Sequence, residues 1–299
     1  MRFRAICLII FSVVMITASA RALEICGDFK QGELFYIRGN PKENIVIFNN
    51  LRKKSYFSDK YGMTLIALHR DAPEKVKMVV YPGTDAGTSY ELSIEPAVWD
   101  IQRVDGVQQH HVAPSKSHEA EILREQRDVN RALAGAKAGG LASKRDELYS
   151  FWSEGFVLPV EGRISGHFGN QRIFNGVPKS PHSGTDIAAP EGTPVKASAA
   201  GTVVLSGKDY FYTGNMVIID HGHGLKTIYA HLKEAAVQEG DDVYQGQVIG
   251  YVGQTGRATG PHLHWGASLN NVRFRPHSLL NLTDKQCHYV TGKYMGNEK

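Results

Sequence analysis

GDDVYQGQVIGYVGQTGRATGPHLHWG, residues 240–266, is the stretch whose reading decides the fold. It holds two short apolar runs, QVIGYVG and PHLHWG, each bounded by glycines. Runs of this length with turn residues at both ends read as strands. Side chains along a strand alternate between faces, so His262 and His264 point one way and Leu263 and Trp265 the other. Upstream, GTVVLSG, NMVIIDH and KTIYAHL are built the same way. Antiparallel strands joined by tight turns account for the 31 glycines of the chain better than helices do. The C-terminal half is therefore expected to be a compact antiparallel β structure.

Three segments of that half carry a common chemistry. PHSGTDIAAPEGTPV (181–195) supplies His182 and Asp186, YAHL (229–232) supplies His231, and GPHLHW (260–265) supplies His262 and His264. His182 and Asp186 flank Ser183-Gly184-Thr185, where the glycine is read as letting the chain turn sharply. Zinc takes nitrogen and oxygen ligands in a tetrahedral set, and a catalytic zinc keeps three protein ligands with the fourth position left to water. Two histidines and a carboxylate meet that need. Two further histidines remain for proton transfer and charge stabilisation. Spacing alone leaves open which histidine does which. The other histidines read differently. His221-Gly222-His223 is a second H-x-H, but it sits between two strand-like runs and is read as part of a hairpin loop. His110, His111 and His118 fall in a polar connecting stretch and read as solvated linker, while His69, His167, His277 and His288 are isolated.

The order H-x-x-x-D, then a lone His, then H-x-H resembles the lysostaphin/LytM-type zinc endopeptidases of cell-wall peptidoglycan. The likeness extends through GHFGNQRIFNG (166–176), PHSGTDIAAPEGTPVKA (181–197), GTVV, the 240–266 stretch and the following RFRP, over roughly residues 155–282. The resemblance implies that His182, Asp186 and His264 hold one zinc ion, that His262 is the general base and that His231 steadies the developing oxyanion. It implies a LytM-like peptidase domain with an open groove floored by the metal-bearing sheet. Some relatives keep the fold, lose metal ligands and act as non-enzymatic activators of peptidoglycan amidases; all five chemical positions are intact here, which argues for the enzyme. QGELFYIRG, HRDAP and WDIQRVDGV resemble the β-domain that precedes the peptidase in some Gram-negative members. That favours a D,D bond between D-alanine and a diamino acid as the substrate over the glycine bridges of certain Gram-positive walls. No substrate-binding residue is indicated.

The remainder of the chain is organised around that domain. MRFRAICLIIFSVVMITASARA (1–22) has two arginines, a short apolar core and small residues at its end, and reads as a secretory signal cleaved after Ala20 or Ala22. No other stretch approaches the roughly 20 apolar residues that span a bilayer. An exported, periplasmic protein with no span after cleavage is expected. The formal charge of +4 falls to about +2 once Arg2 and Arg4 leave, too little to argue for nucleic acid. With Cys7 in the signal, Cys26 and Cys287 remain, and a pair in an oxidising compartment is expected to form one disulfide. Cys26 follows Glu24-Ile25 and lacks the small-residue context of a lipidated cysteine. Residues 27–110 alternate short apolar runs with turns and read as a small accessory β-sandwich. Residues 115–150 are rich in Ala, Glu, Arg and Lys and read as a helical linker. Its first helix, 116–136, carries Ile122, Val129 and Leu133 at helical spacing and a solvated charged face; a shorter one follows the break at Gly139-Gly140. Residues 283–299 remain as a C-terminal tail, and the fold class is mainly β.

Overall fold

The dominant element is an antiparallel sheet whose strands, in spatial order, are Asp242–Val243, Gly201–Tyr210, Gly214–Asp220, Leu225–Ala235, His262–Leu269, Gly184–Ala188 and Arg163–Gly166. In this computed structural model, residues 22–39, 44–49, 52–57, 62–81, 87–134, 155–280, 282 and 285–295 are described. Residues 1–21 of the expected signal and the short helix expected before residue 150 lie outside them. Among the described residues no helix is long and apolar enough to cross a membrane.

Leu225–Ala235 is buried continuously from Leu225 to Leu232, because both faces of the sheet are covered. On one face Tyr229, Leu263 and Trp265 enter the main core. On the other, Ile228 and Ala230 pack with Leu205, Met216 and Ile218 against Val129 and Leu133 of the helix Lys116–Ala134. Ala230 is the cross-strand partner of His264, so the face that carries this helix also carries the histidines. The helix falls where its apolar spacing places it, but its charged residues are not all solvated. Glu125 is buried and accepts the main-chain N–H of Phe211 at 2.9 Å. Burial raises its pKa above the usual carboxylate value, against that hydrogen bond. A carboxylate inside a charged helix looks solvated in a periodicity reading; here it fastens the turn that leads into Gly214–Asp220.

The N-terminal module consists of two antiparallel sheets, as the turn spacing predicts. One orders Cys287–Thr291, Ala22–Gly27, Leu34–Arg38 and Met63–Ala67; the other orders Lys293–Met295, Gly87–Ser93, Lys75–Tyr81, Asn44–Asn49 and Arg52–Phe57. Ile25, Leu34, Tyr36, Ile45, Ile47, Met78, Tyr90 and Leu92 belong to one core. The boundaries differ from those read off the sequence in two places. Residues 287–295 of the tail add an outer strand to each of these sheets. Ile101–Val104, read as the end of the module, instead runs parallel to Gln171–Phe174 of the C-terminal half. Both are strands paired through backbone hydrogen bonds with much of their side-chain surface exposed, so neither shows a hydrophobic alternation that the sequence would reveal. The two halves join through Arg275 N–H, which donates to the Gly32 carbonyl at 2.7 Å, and through the Ser278 hydroxyl, which donates to the Glu33 carboxylate.

Cys26 lies directly opposite Cys287 and is bridged to it by a disulfide. The bridge closes a loop with a sequence separation of 261. In the chain-entropy model such a closure stabilises by about 5 kcal/mol, an upper figure since measured values often fall below it. Reduction is therefore expected to lower the melting temperature by several degrees, read by calorimetry with and without reductant. An unchanged melting temperature would show that the terminal strands hold without the bond.

Candidate metal centre

Three donors converge on one point of the central sheet. His264 Nδ1 lies 2.9 Å from Asp186 Oδ1 and 3.0 Å from His182 Nε2, and His182 Nε2 lies 3.0 Å from Asp186 Oδ1. All three side chains are buried. Asp186 and His264 face each other directly across neighbouring strands, which puts both on one face. The two-residue period then brings His262 to the same face, with its Nε2 3.8 Å from Asp186 Oδ1. His182 precedes the strand and is held by the 167–170 loop: its Nδ1–H donates to the His167 carbonyl at 3.0 Å and its main-chain N–H to Asn170 at 2.9 Å. Its Nε2 is thereby turned inward.

Gly184 has a different role from the turn expected of it. It lies within the strand Gly184–Ala188, opposite Gly266. A Cβ there would come within 2.5 Å of the Trp265 carbonyl oxygen and 2.7 Å of His264 Nε2. The residue is small so that the His264 ring can lie against it.

His231 is aimed by a local break in the sheet. The register between Gly214–Asp220 and Leu225–Ala235 shifts across Asn215–Val217, and His231 takes φ +61°. That is the left-handed region, unusual for a residue with a side chain and a common mark of a bulge that redirects one. Two carbonyls bracket it: its main-chain N–H donates to Thr213 at 2.9 Å and its Nδ1–H to Thr255 at 2.8 Å. His262 Nδ1–H donates likewise to Gly260 at 2.8 Å. Each ring thus keeps Nε2 for other partners, and the two ring centroids are 4.8 Å apart. Gly214, with φ +60°, lets the Thr255 loop lie against it, since a Cβ would meet Thr255 Oγ1 at 2.1 Å.

The electrostatics suit a cation. Burial pulls His182 down to about 4, with Asp186 opposing, so the imidazole is neutral at physiological pH and its lone pair is available. Burial likewise lowers His264. His231 is held well below the ordinary histidine value by burial and then by His262 and His264. Burial pushes the Asp186 carboxyl up, but His182, His264 and Arg172 together outweigh it and hold it well below the usual range. The Arg172 guanidinium pairs with Asp186 Oδ2, and its Nε–H donates to Gln102 Oε1 at 3.2 Å. Ligands about 2.0–2.1 Å from a tetrahedral zinc stand roughly 3.3 Å apart, close to the separations seen among His182, Asp186 and His264. The donor set fits the ion.

Some participants were not legible as such in the sequence. Arg172 lies in the GHFGNQRIFNG motif but carried no assigned role; a pair between residues 14 apart has no periodic signature. Gln102 and Val104 come from the segment upstream of the C-terminal half and help to line a cavity of about 120 Å³ that also opens on Asp186, His231 and His262. His111 and His118, read as solvated linker, are instead half-buried, while His110 is exposed. All three rings gather on Phe211, at centroid distances of 6.0, 4.9 and 4.9 Å. Burial, then His110, draws His111 down to about 4.

His221, read as a hairpin-loop residue, does sit at the hairpin and outside the donor cluster, yet it is fully buried. Its Nδ1 lies 2.7 Å from the Ala200 carbonyl and its Nε2 2.7 Å from Thr227 Oγ1, which bonds in turn to the Tyr229 hydroxyl. Replacement of His221 is therefore not expected to be cheap. His221→Ala should destabilise the fold by about 2–4 kcal/mol, because buried partners lose their bonds, with metal stoichiometry unchanged. Burial lowers the His221 pKa to about 4, against 6.5 in a model compound. The unfolded chain therefore takes the proton first, and this residue's contribution to stability falls as pH drops from about 6.5 to 4. Denaturant titrations of both proteins across that window would check the sign.

Residues 180–276 match the model of peptidase family M23. The DD-carboxypeptidase/endopeptidase Mpg of Neisseria meningitidis serogroup B is 50% identical over 98 residues, 33% of this chain and 22% of that protein. The peptidoglycan DD-endopeptidase ShyA of Vibrio cholerae is 46% identical over 140 residues, 46% of this chain and 32% of that protein. The chain thus spans a third or less of the length of these relatives. A crystal structure of a peptidase M23 from Pseudomonas aeruginosa superposes with a TM-score of 0.61 at 27% identity, covering 85% of this chain and 96% of that one. The donor cluster and the strands that bear it all lie within or beside the matched segment. Residues 180–276 of this chain are thus similar to peptidase family M23.

Proposed function

We propose that this protein is an exported zinc endopeptidase that hydrolyses peptide crosslinks of peptidoglycan, at the D,D bond between D-alanine and a diamino acid. The observation that carries the reading is the convergence of His182 Nε2, Asp186 Oδ1 and His264 Nδ1 within about 3 Å of one another, beside two further oriented imidazoles. The DD-endopeptidase names of the relatives support the bond type, and the signal-like residues 1–22 support export to the periplasm.

His182, Asp186 and His264 would hold the ion, which when bound lowers the pKa of water and polarises a carbonyl. The remaining steps belong to the protein. His262, with Nδ1–H committed to Gly260, presents a basic Nε2 that accepts the proton of the attacking water and returns it to the departing amine. His231, whose Nδ1–H is committed to Thr255, donates from Nε2 to the oxyanion once that nitrogen takes a proton; burial, His262 and His264 oppose that charge, and Asp186 and the Thr255 carbonyl favour it. Arg172 fixes the carboxylate by holding Oδ2, leaving Oδ1 among the donor atoms.

Purified sacculi treated with the zinc-loaded protein should release monomeric muropeptides from D-alanine–diamino acid dimers, identified by mass. A chelator should stop the release and zinc restore it. Binding to sacculi with no release, together with stimulation of an amidase, would place the protein among the non-enzymatic activators instead.

A further inference from the structure

Arg257 is the cation that the mechanism above leaves unused. Its main-chain N–H is anchored on the Tyr212 carbonyl at 3.0 Å. Its guanidinium carbon lies 4.5 Å from the centre of the Tyr212 ring and 4.9 Å from that of Phe174, so residues from two different hairpins hold the group. The side chain borders the same cavity as Asp186, His231 and His262.

Its charge has no counterpart. Among the described residues Arg257 makes no ion pair and no side-chain hydrogen bond, whereas Arg172 has Asp186 and the buried Lys226 has Asp220. Burial, with Arg172 adding to it and Tyr212 opposing, lowers its pKa to about 10, which leaves it charged at neutral pH. Drawing a guanidinium partly out of water without a partner is unfavourable, and the aromatic contacts offset only part of that. The aromatic contacts leave the guanidinium N–H donors without a side-chain acceptor among the described residues, and their fork suits a carboxylate.

We propose that Arg257 is the anchor for a carboxylate of the substrate, the one carried by the diamino-acid centre whose nitrogen is released. This rests on the D,D-endopeptidase reading: the amine freed from such a bond sits on a carbon that bears its own carboxylate. The anchor would place the leaving-group side of the crosslink in the cavity beside His231 and His262. Neutral glycine bridges carry no such group.

The test compares two crosslinked muropeptide dimers that differ only in whether this carboxylate is free or amidated, using the full-length zinc-loaded protein. The wild type should prefer the free carboxylate by about 30- to 100-fold in kcat/KM, the size expected for a charge-assisted bidentate pair. In Arg257→Gln that preference should collapse to within about threefold, and Arg257→Lys should recover only part of it. Equal turnover of both dimers by the wild type, a comparison that needs no variant to fold, overturns the anchor while leaving the endopeptidase reading intact. So does an Arg257→Gln protein that slows on both dimers and keeps the wild-type preference. Failure of the wild type to cleave either dimer overturns both readings.

Discussion

His264→Ala is expected to lose the metal and the hydrolytic activity together. His264 Nδ1 is within 3.0 Å of both other donors, so its removal leaves a two-ligand site with an open flank. If each position of a zinc site contributes a quarter to a third of roughly 10–16 kcal/mol, affinity should fall by at least about 100- to 1,000-fold. Metal analysis after gel filtration should find little zinc, against one equivalent in the wild type. The fold should survive, because Leu263 and Trp265 face the other way and keep the strand packed in the core. Full zinc occupancy in this variant would remove His264 from the ligand set and with it the assignment of all three donors.

His262→Ala and His231→Asn should show the opposite pattern, with one zinc retained and turnover lost. Asparagine is chosen at residue 231 because it tolerates a positive φ better than most residues. Removing a general acid–base group costs about 10²- to 10⁴-fold, and removing an oxyanion donor about 10²- to 10³-fold. Both losses should appear in kcat rather than KM, since the interactions form as the tetrahedral species develops. The His262 variant discriminates sharply. Its Nε2 stands only 3.8 Å from Asp186 Oδ1, close enough to suggest ligation by proximity alone. A zinc-depleted His262→Ala protein would make it a ligand; wild-type turnover would make it neither ligand nor base.

The five positions stood out in the sequence through their order, H-x-x-x-D, a lone His and H-x-H, which resembles the lysostaphin/LytM-type endopeptidases. Strand period alone placed only His262 and His264 on a common face. What each imidazole does with its second nitrogen was invisible. The Thr255, Gly260 and His167 carbonyls that orient the rings of His231, His262 and His182 come from loops. A main-chain acceptor carries no residue identity to read. Gly184 illustrates the same point. Sequence logic assigned it a turn because glycine is permissive, whereas its place in the strand is required by the bulk of a ring 80 residues further along the chain.

By itself, then, the sequence determined the β character of the C-terminal half, the β character of the module read at 27–110, and a helix read at 116–136 and found at 116–134. These follow from periodicity and turn chemistry, which act over a few residues; the chemical groups were picked out by the resemblance of their order to a known family. Tertiary structure decided the pairing of Arg172 with Asp186, the burial of His221 and Glu125, and the gathering of three histidines on Phe211. It also decided that Cys287–Met295 returns to the N-terminal sheets and that Ile101–Val104 leaves them for Gln171–Phe174. Each of these joins segments far apart in the chain, through hydrogen bonds and charges whose strength depends on exclusion of water by the folded whole. No local pattern encodes that.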